Sequence, residues 1–291
     1  MIDLLLWLAV LPPAILFYRV LKLDKVEQEP FGLVARTFFL GCLSCIPAAI
    51  IESIGDSFAL EFMSSEAAYN VFVFLFLVPF AEEGVKYLVL RTVRKNEAFN
   101  YTFDGIVYGV AASLGFATLE NILYVLGLFD IVTAVARAFL SIPLHCVCGV
   151  FMGYYYGLAH RYRLLGDADK SRSNYILALV IPAIIHGLYD YSLSVDNGWI
   201  SLAGLAFTFA MFVLAIKRVR LSSAQDEAFW GGAEQQGAVT QPAQMPVQPV
   251  QTTPQATGEQ WQPVSQEWQP RPSQVNSDRD GSNFTQKGGS L

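Results

Sequence analysis

Two adjacent glutamates, Glu82 and Glu83, interrupt an apolar run that covers residues 69–90. A charged side chain at the centre of a bilayer costs about 3 kcal/mol even on the insertion scales that give the smallest values. Lys86 follows at spacings of four and three residues, at which helical side chains meet, so we expect it to neutralise one carboxylate. The other carboxylate could then act as a general acid or base. The pair predicts one working and one structural glutamate.

Other polar residues interrupt the later apolar runs, namely Glu120 with Asn121, His145, and His186 with Asp190. His186 and Asp190 are four residues apart, a spacing at which the carboxylate can accept one imidazole N–H and leave the other nitrogen for chemistry. The Asn121 amide could donate to an oxyanion. Because these side chains would lie at similar depths, the sequence predicts one buried site inside a helical bundle.

The elements that position these residues are predicted to be membrane helices. Hydrophobic residues make up 53% of the chain and charged residues 15%, and the mean hydropathy is +0.39. A helix needs about 20 apolar residues to cross a bilayer. The sequence therefore predicts an all-α, polytopic bundle of about seven transmembrane helices. The candidate spans are residues 2–18, 31–53, 67–90, 105–127, 131–160, 174–194 and 199–216.

Basic residues predict the orientation of the bundle. Lys and Arg follow the first, third, fifth and seventh runs, whereas the connections 54–66, 128–130 and 195–198 contain neither. Since basic loops favour the cytoplasm, we expect a multi-pass plasma-membrane protein with its N-terminus outside and its C-terminus in the cytoplasm. The run 131–160 is long and contains Arg137, the expected partner of Glu120.

Small residues predict which helix faces meet. Glycine recurs at every fourth position after His145, between residues 149 and 157, and Gly109 shares a face with Glu120. Glycines at this spacing let membrane helices approach closely, so His145 and Glu120 should face protein. Cys146 and Cys148 have no zinc-ligand spacing, and we interpret them as packing residues.

The composition changes after residue 220, which divides the chain into a transmembrane bundle (1–220) and a tail (221–291) rich in Gln, Pro and Ser. Such a composition cannot bury a core and predicts a disordered cytoplasmic tail. The tail is either a linker or a docking segment in which Trp261 and Trp268 contact a cytoplasmic partner.

Four motifs together resemble the PrsW-type intramembrane proteases, which are distantly similar to the CAAX prenyl endopeptidases and the bacteriocin-immunity membrane proteases. They are EEGVK at 82–86, FATLEN at 116–121, His145, and HGLYD at 186–190. The resemblance covers roughly residues 1–220. It implies a peptidase that cuts membrane-anchored regulators, as family members do with anti-sigma factors.

The resemblance also implies the site. Its catalytic residues would be Glu82, Glu83, Glu120, His145 and His186, supported by Lys86, Asn121 and Asp190. In our interpretation a glutamate activates water, while a histidine and Asn121 stabilise the oxyanion. The cofactor is either none or zinc, since two histidines and a glutamate also form a ligand set of metalloproteases.

Two other classes of protein would use some of the same features. A proton- or cation-coupled transporter also places Glu, His and Asp at the bilayer midplane, but the sequence has no inverted repeat. A non-catalytic sensor or scaffold would leave the buried carboxylates unused. We expect as partners the lipid bilayer, a membrane-anchored protein substrate and no nucleic acid.

Overall fold

The computed structural model describes residues 2–237, with side chains as far as residue 226. Over this range the chain forms nine α-helices and no strand, which confirms the predicted all-α bundle. Two π-helical segments, Val71–Leu77 and Arg137–Ser141, join successive helices. The helices are α1 Ile2–Leu21, α2 Phe31–Phe62, α3 Glu66–Asn70, α4 Val78–Arg91, α5 Thr102–Leu128, α6 Ile131–Ala136, α7 Ile142–Leu164, α8 Ala168–Ser194 and α9 Gly198–Gly237.

Helix α5 is the centre of the bundle, and all of its residues from Thr102 to Thr118 are buried. It packs most extensively on α7, with α2 and α1 on its other sides. A helix that is apolar all round is expected in such a central position. The burial therefore explains why α5 carries no exposed polar face along this stretch.

The predicted glycine faces meet between α5 and α7. A Cβ atom added at Gly109 would lie 2.6 Å from the Gly149 carbonyl oxygen and 2.8 Å from Gly153 Cα. The Ser113 hydroxyl donates a 2.6 Å hydrogen bond to the His145 carbonyl at the same interface. The backbones approach closely because these positions lack side chains. This contact sets the distance between Glu120 on α5 and His145 on α7.

Prolines account for the two π-helical segments. Pro79 and Pro143 are the second residues of α4 and α7, directly after the segments. A proline has no N–H for the carbonyl four residues before it, and its ring crowds that carbonyl. For Pro79 this is the carbonyl of Leu75, which lies so close to Gly187 that a Cβ there would be 2.5 Å from its oxygen. The π-helical segment that contains Leu75 thus packs against α8 beside His186.

Six of the seven predicted spans correspond to helices that are long and apolar enough to cross a membrane. These are α1, α2, α5, α8, α9 as far as Asp226, and the continuous helix Ile131–Leu164 that includes α6 and α7. The remaining prediction, 67–90, is divided between α3, the first π-helical segment and α4. Helix α4 has only 14 residues and carries the charges of the Glu82 motif.

Helix α9 continues beyond the predicted domain boundary at residue 220, as far as Gly237. The Ser223 hydroxyl donates a 2.7 Å hydrogen bond to the Leu23 carbonyl, and the Phe103 N–H donates a 2.8 Å bond to Asp226. The first residues of the predicted tail are therefore helical and packed on the bundle. Residues 238–291, with Trp261 and Trp268, lie outside the described part of the chain.

The connection between α1 and α2 brings carboxyl groups to the same end of the bundle. Tyr108 on α5 donates a hydrogen bond to Glu29, and Asp24 is buried. Burial, together with the negative charges of Glu29 and Asp226, raises the pKa of Asp24 to about 7. Asp24 in this connection therefore holds its proton to a higher pH than an exposed aspartate does.

Candidate active site

Four of the predicted catalytic side chains meet at one point inside the bundle. Glu82, Glu83, His145 and His186 each present one donor atom, and these atoms lie within 4.8 Å of one another. They come from α4, α7 and α8, and all four residues are buried. The sequence predicted one buried site, and these helices form it.

Lys86 lies at the centre of this cluster and is fully buried. Its Nζ atom donates to Glu82 Oε2 and Glu83 Oε1 at 2.9 Å each, and to His145 Nδ1 at 3.0 Å. The centroid of the Phe116 ring lies 4.0 Å from the same Nζ atom. The lysine therefore bonds to both glutamates, whereas the sequence spacing led us to expect one, and its single positive charge balances one of their two negative charges. Its flexible stem lets one ammonium reach two carboxylates that leave the helix about 100° apart.

His145 connects Lys86 to Glu120. An ammonium can only donate, so Nδ1 of His145 accepts from Lys86 and the ring proton lies on Nε2. Nε2 then donates to Glu120 Oε2 at 2.9 Å. Arg137 Nη2 lies 2.8 Å from the other oxygen of Glu120, as the sequence led us to expect. This charge-assisted chain fixes the imidazole between two helices.

His186 faces a carboxylate on each side. Its Nδ1 donates to Glu83 Oε1 at 3.0 Å, and its Nε2 lies 3.3 Å from Asp190 Oδ2. The predicted four-residue contact with Asp190 is present. His186 thus has a hydrogen-bonded carboxylate at Nδ1 and a second carboxylate within ion-pair distance of Nε2, so both ring nitrogens face acids, whereas the sequence led us to expect one nitrogen to be left for chemistry. The His186 ring lies 5.2 Å from the His145 ring, measured between centroids.

The nitrogen and the oxygen of the Asn121 side chain are both hydrogen-bonded to other groups of the protein. Its amide nitrogen donates to the Ala117 carbonyl at 2.6 Å, and its oxygen accepts from Arg137 Nε at 2.8 Å. Arg137 also stacks on Tyr124, 3.8 Å from the ring centroid. Asn121 thus helps to hold the arginine that pairs with Glu120, and it is absent from the wall of the cavity described next.

A cavity of about 700 Å³ adjoins the cluster. Of the predicted residues, Glu82, Glu120, His145, His186 and Asp190 line it, but Glu83 does not. Glu83 is fully buried behind Lys86 and His186. The cavity therefore distinguishes the two adjacent glutamates: Glu82 faces space in which a substrate can lie, and Glu83 supports its neighbours.

One carboxyl group of the cavity wall, Glu52 on α2, was not predicted from the sequence. It lies near the end of the second apolar run, 31–53, and belongs to none of the four motifs. The available signal was a single acidic residue within an apolar run, the same type of signal that singled out Glu120. The two cysteines beside His145 are buried in the core, and Cys148 Sγ contacts the Pro182 carbonyl at 3.6 Å.

The donor set fits a metal ion in type and proximity. Two imidazoles and two carboxylates are ligands that zinc accepts, at distances of about 2.0–2.2 Å, and here the four donor atoms lie within 4.8 Å of one another. Lys86 Nζ lies 2.9–3.0 Å from three of them. An ion at this point would therefore require the ammonium to move away from the cluster.

Comparisons with known proteins identify the family of the chain. The family model described as "PrsW family intramembrane metalloprotease" matches residues 29–216. Protease PrsW of Bacillus subtilis (strain 168) is 39% identical over 196 residues, which cover 64% of this chain and 81% of that protein. Protease PrsW of Geobacillus kaustophilus (strain HTA426) is 37% identical over 209 residues, covering 71% and 86%. Protease PrsW of Clostridioides difficile (strain 630) is 29% identical over 222 residues, covering 75% and 90%.

No solved structure matches the chain. The range matched by the family model contains every helix that contributes to the cluster and the cavity, and it ends before the last part of α9. The helices that are long and apolar enough to cross a membrane agree with a multi-pass membrane protein. The chain therefore belongs to the PrsW family of intramembrane metalloproteases and is a membrane protease.

Proposed function

We propose that this membrane protease hydrolyses a peptide bond of a membrane-anchored regulatory protein, of the anti-sigma-factor type, with buried glutamate and histidine side chains. The observation that carries the proposal is the cavity of about 700 Å³, in which Glu82, Glu120, His145 and His186 face the same space. A carboxylate and imidazoles around one cavity are the groups that peptide hydrolysis uses.

In the proposed reaction, Glu82 is the general base. It takes a proton from a water molecule, whose oxygen forms a bond to the scissile carbonyl carbon. His186, which lines the cavity, stabilises the resulting oxyanion with its positive charge. When the carbon–nitrogen bond breaks, Glu82 returns the proton to the leaving amine, so that the base is regenerated.

The remaining charged residues act through their neighbours in this proposal. Glu83 holds Lys86 and His186 by hydrogen bonds of 2.9 and 3.0 Å. Glu120, paired with Arg137, holds the His145 ring. A divalent metal ion would be held by Glu82, Glu83, His145 and His186, and it would supply Lewis-acid polarisation of the scissile carbonyl.

The substrate class and the orientation rest on the sequence. A site enclosed by membrane helices favours a substrate that is itself anchored in the bilayer. We infer that the N-terminus lies outside and the C-terminus in the cytoplasm, because the basic connections alternate with connections that lack Lys and Arg. A cytoplasmic partner of the tail belongs to the same proposal.

The test is cleavage by the purified full-length protein in liposomes that contain a single-span, membrane-anchored substrate. We expect two fragments with wild-type protein and none with Glu82→Gln, with both proteins equally folded. A chelator added before the substrate, followed by zinc, decides the role of metal. Loss and recovery of cleavage would support a metal-dependent reaction, and unchanged cleavage would support one that uses Glu82 alone. Equal cleavage by Glu82→Gln would contradict the proposal.

A further inference from the structure

One wall of the active-site cavity belongs to α2 and has an unusual composition. Four residues of this helix line the cavity, and they recur at the spacing of one helical face. They are Cys45, Ala48, Ala49 and Glu52. Three small side chains are thus followed by a single carboxyl group, the only one that α2 contributes to the cavity wall.

The Glu52 carboxyl differs from the other carboxyl groups of the cavity in that its unpartnered oxygen is buried. Its Oε1 atom is buried and makes no hydrogen bond within the described part of the chain. Glu82 is paired with Lys86, and Glu120 with Arg137. The two cations nearest the site are therefore already engaged by other acids.

A buried acceptor without a partner costs free energy and is uncommon in folded proteins. Glu52 as a whole is only partly buried and lines the cavity, so a half-turn of its carboxyl group, a soft torsion, presents this oxygen to a donor from outside the protein. Glu52 lines the cavity, but within the described part of the chain it makes no hydrogen bond or salt bridge to the cluster of Glu82, Glu83, His145 and His186. This separates Glu52 from the residues assigned to proton transfer.

A peptide substrate brings donors of the required kind. In a transmembrane helix each backbone N–H is bonded to the carbonyl four residues earlier. Hydrolysis requires the scissile bond to be accessible, so the helix must unwind locally and release N–H groups. At membrane depth these groups need acceptors from protein, because lipid supplies none. The small residues of α2 leave room for a main chain next to Glu52.

We propose that the Glu52 carboxyl accepts a hydrogen bond from a backbone N–H of the unwound substrate segment, lying along the face formed by Cys45, Ala48 and Ala49. Glu52 is then a substrate-binding residue of the α2 wall. It recognises an unwound peptide of any side-chain sequence, since every residue except proline carries the N–H. This inference rests on the proposed function.

The first experiment separates binding from proton transfer. Cleavage of a single-span substrate in liposomes is measured for Glu52→Leu, Glu52→Gln and the matched control Glu61→Leu, which changes an exposed acid on the same helix. Loss of one hydrogen bond corresponds to about a tenfold effect. We expect Glu52→Leu to raise KM about tenfold with kcat nearly unchanged, the pattern of lost ground-state binding. Glu52→Gln and Glu61→Leu should stay close to wild type.

The second experiment identifies the donor. Synthetic substrates carry an ester oxygen in place of one backbone N–H at a time, at positions flanking the scissile bond. At one position we expect the ester to raise the KM of the wild-type enzyme about tenfold. The same ester should not raise the KM of Glu52→Leu any further, because the effects of removing two groups in contact are not additive. If Glu52→Leu proves too unstable to assay, Glu52→Ala serves in the same cycle.

Three results would overturn the inference. One is an unchanged KM in Glu52→Leu, and another is additivity at every ester position. The third is a fall in kcat that Glu52→Gln shares, which would make Glu52 a proton-transfer group instead. If wild-type protein cleaves no membrane-anchored substrate, the proposed function fails as well. Cleavage by wild type with any of the three results refutes the role of Glu52 alone.

Discussion

At the scale of single residues, the site depends on one ammonium among several carboxylates. Lys86 Nζ contacts Glu82, Glu83 and His145 at 2.9–3.0 Å in a fully buried position. Buried charges are tolerated only when they are paired. The lysine therefore lets two glutamates remain inside the membrane domain, one facing the cavity and one supporting it.

Substitution of each catalytic residue tests this arrangement. We expect Glu82→Gln, which removes the proposed base, to lower the rate of cleavage by at least about a hundredfold, the usual scale for the loss of an acid–base group. A loss of similar size is expected for the substitutions that remove the groups holding or charging the site, namely Glu83→Gln, Glu120→Gln, His145→Ala and His186→Ala. The amount of folded protein should be the same for each variant as for the wild type. Initial rates in liposomes give the measurement, and Cys146→Ala and Cys148→Ala serve as controls that keep most activity. An inactive but folded Cys146→Ala enzyme would indicate a role for the thiol in the chemistry.

Removal of the central cation tests stability separately from activity. Lys86→Met removes the ammonium that bonds to both Glu82 and Glu83 and leaves Glu82 without a hydrogen-bonded cation. Breaking a buried ion pair on one side typically costs about 3–5 kcal/mol. We expect a loss of this size in the free energy of unfolding, measured with denaturant in detergent. The control is Lys170→Met, which removes an exposed lysine paired with Asp167 and should change stability little. Equal stability of the two variants would contradict the pairing of both glutamates with Lys86.

At the scale of elements, sequence spacing predicted contacts within a helix better than contacts between helices. The pairs Lys86–Glu82 and His186–Asp190 follow from four-residue periodicity. The link from Glu120 to His145 joins residues 25 positions apart. It depends on the distance between α5 and α7, which the glycine faces indicate but do not fix. The division of residues 66–91 into two helices and a π-helical segment depends on packing against α8.

The connection between α1 and α2 makes stability depend on pH. The pKa of Asp24 is raised from 3.8 to about 7 in the folded protein, so the folded state binds more protons than the unfolded state between these values. The contribution of Asp24 to stability should accordingly be fully present below about pH 4 and should be lost as the pH rises through about 7. Unfolding of wild type and Asp24→Asn is compared at several pH values.

The difference between the two proteins isolates the contribution of Asp24. We expect the wild type to lose stability relative to Asp24→Asn across this window and to change no further above it. Asp3→Asn, at an exposed position in α1, is the control for removal of one carboxyl charge. A constant difference between wild type and Asp24→Asn would contradict the raised pKa.

At the scale of the whole molecule, hydropathy predicted most of the bundle. Six candidate spans coincide with apolar helices. The predicted boundary at residue 220 marked the end of the apolar run, but the helix continues because Ser223 and Asp226 bond to the bundle. Polar residues that pack through specific hydrogen bonds carry no hydropathy signal. Glu52 was missed for a related reason, since its role depends on a cavity that only the assembled helices form.

Topology is tested with reporters at three positions. A reporter inserted at Ser64, between α2 and α3, should lie outside, whereas reporters at Glu97 and after Gly237 should lie in the cytoplasm. The reason is the basic character of the connections after the third and seventh predicted spans. Accessibility of each reporter to an impermeant label in intact cells gives the measurement. If Ser64 and Glu97 are on the same side, the segment Glu66–Arg91 does not cross the membrane.

Two truncations test where the catalytic unit ends. Truncation after Gly237 keeps all of α9, so the purified protein should retain its stability and its rate of cleavage. Truncation after Ser223 removes Asp226, which accepts the Phe103 N–H at the start of α5. Since a capping acceptor contributes about 1 kcal/mol, the shorter protein should unfold at a lower temperature.

A signalling assay in cells, made with the same two truncated proteins, separates catalysis from docking of a partner. If the removed segment binds a partner, truncation after Gly237 should weaken the cellular response while the purified enzyme stays fully active, because a tethered contact raises effective concentration without changing the site. The single substitution Asp226→Ala in the full-length chain is the matched control for the lost cap, and it should reproduce the thermal shift of the shorter truncation. A folded but inactive protein ending at Gly237 would show that residues 238–291 take part in catalysis or in access to the cavity.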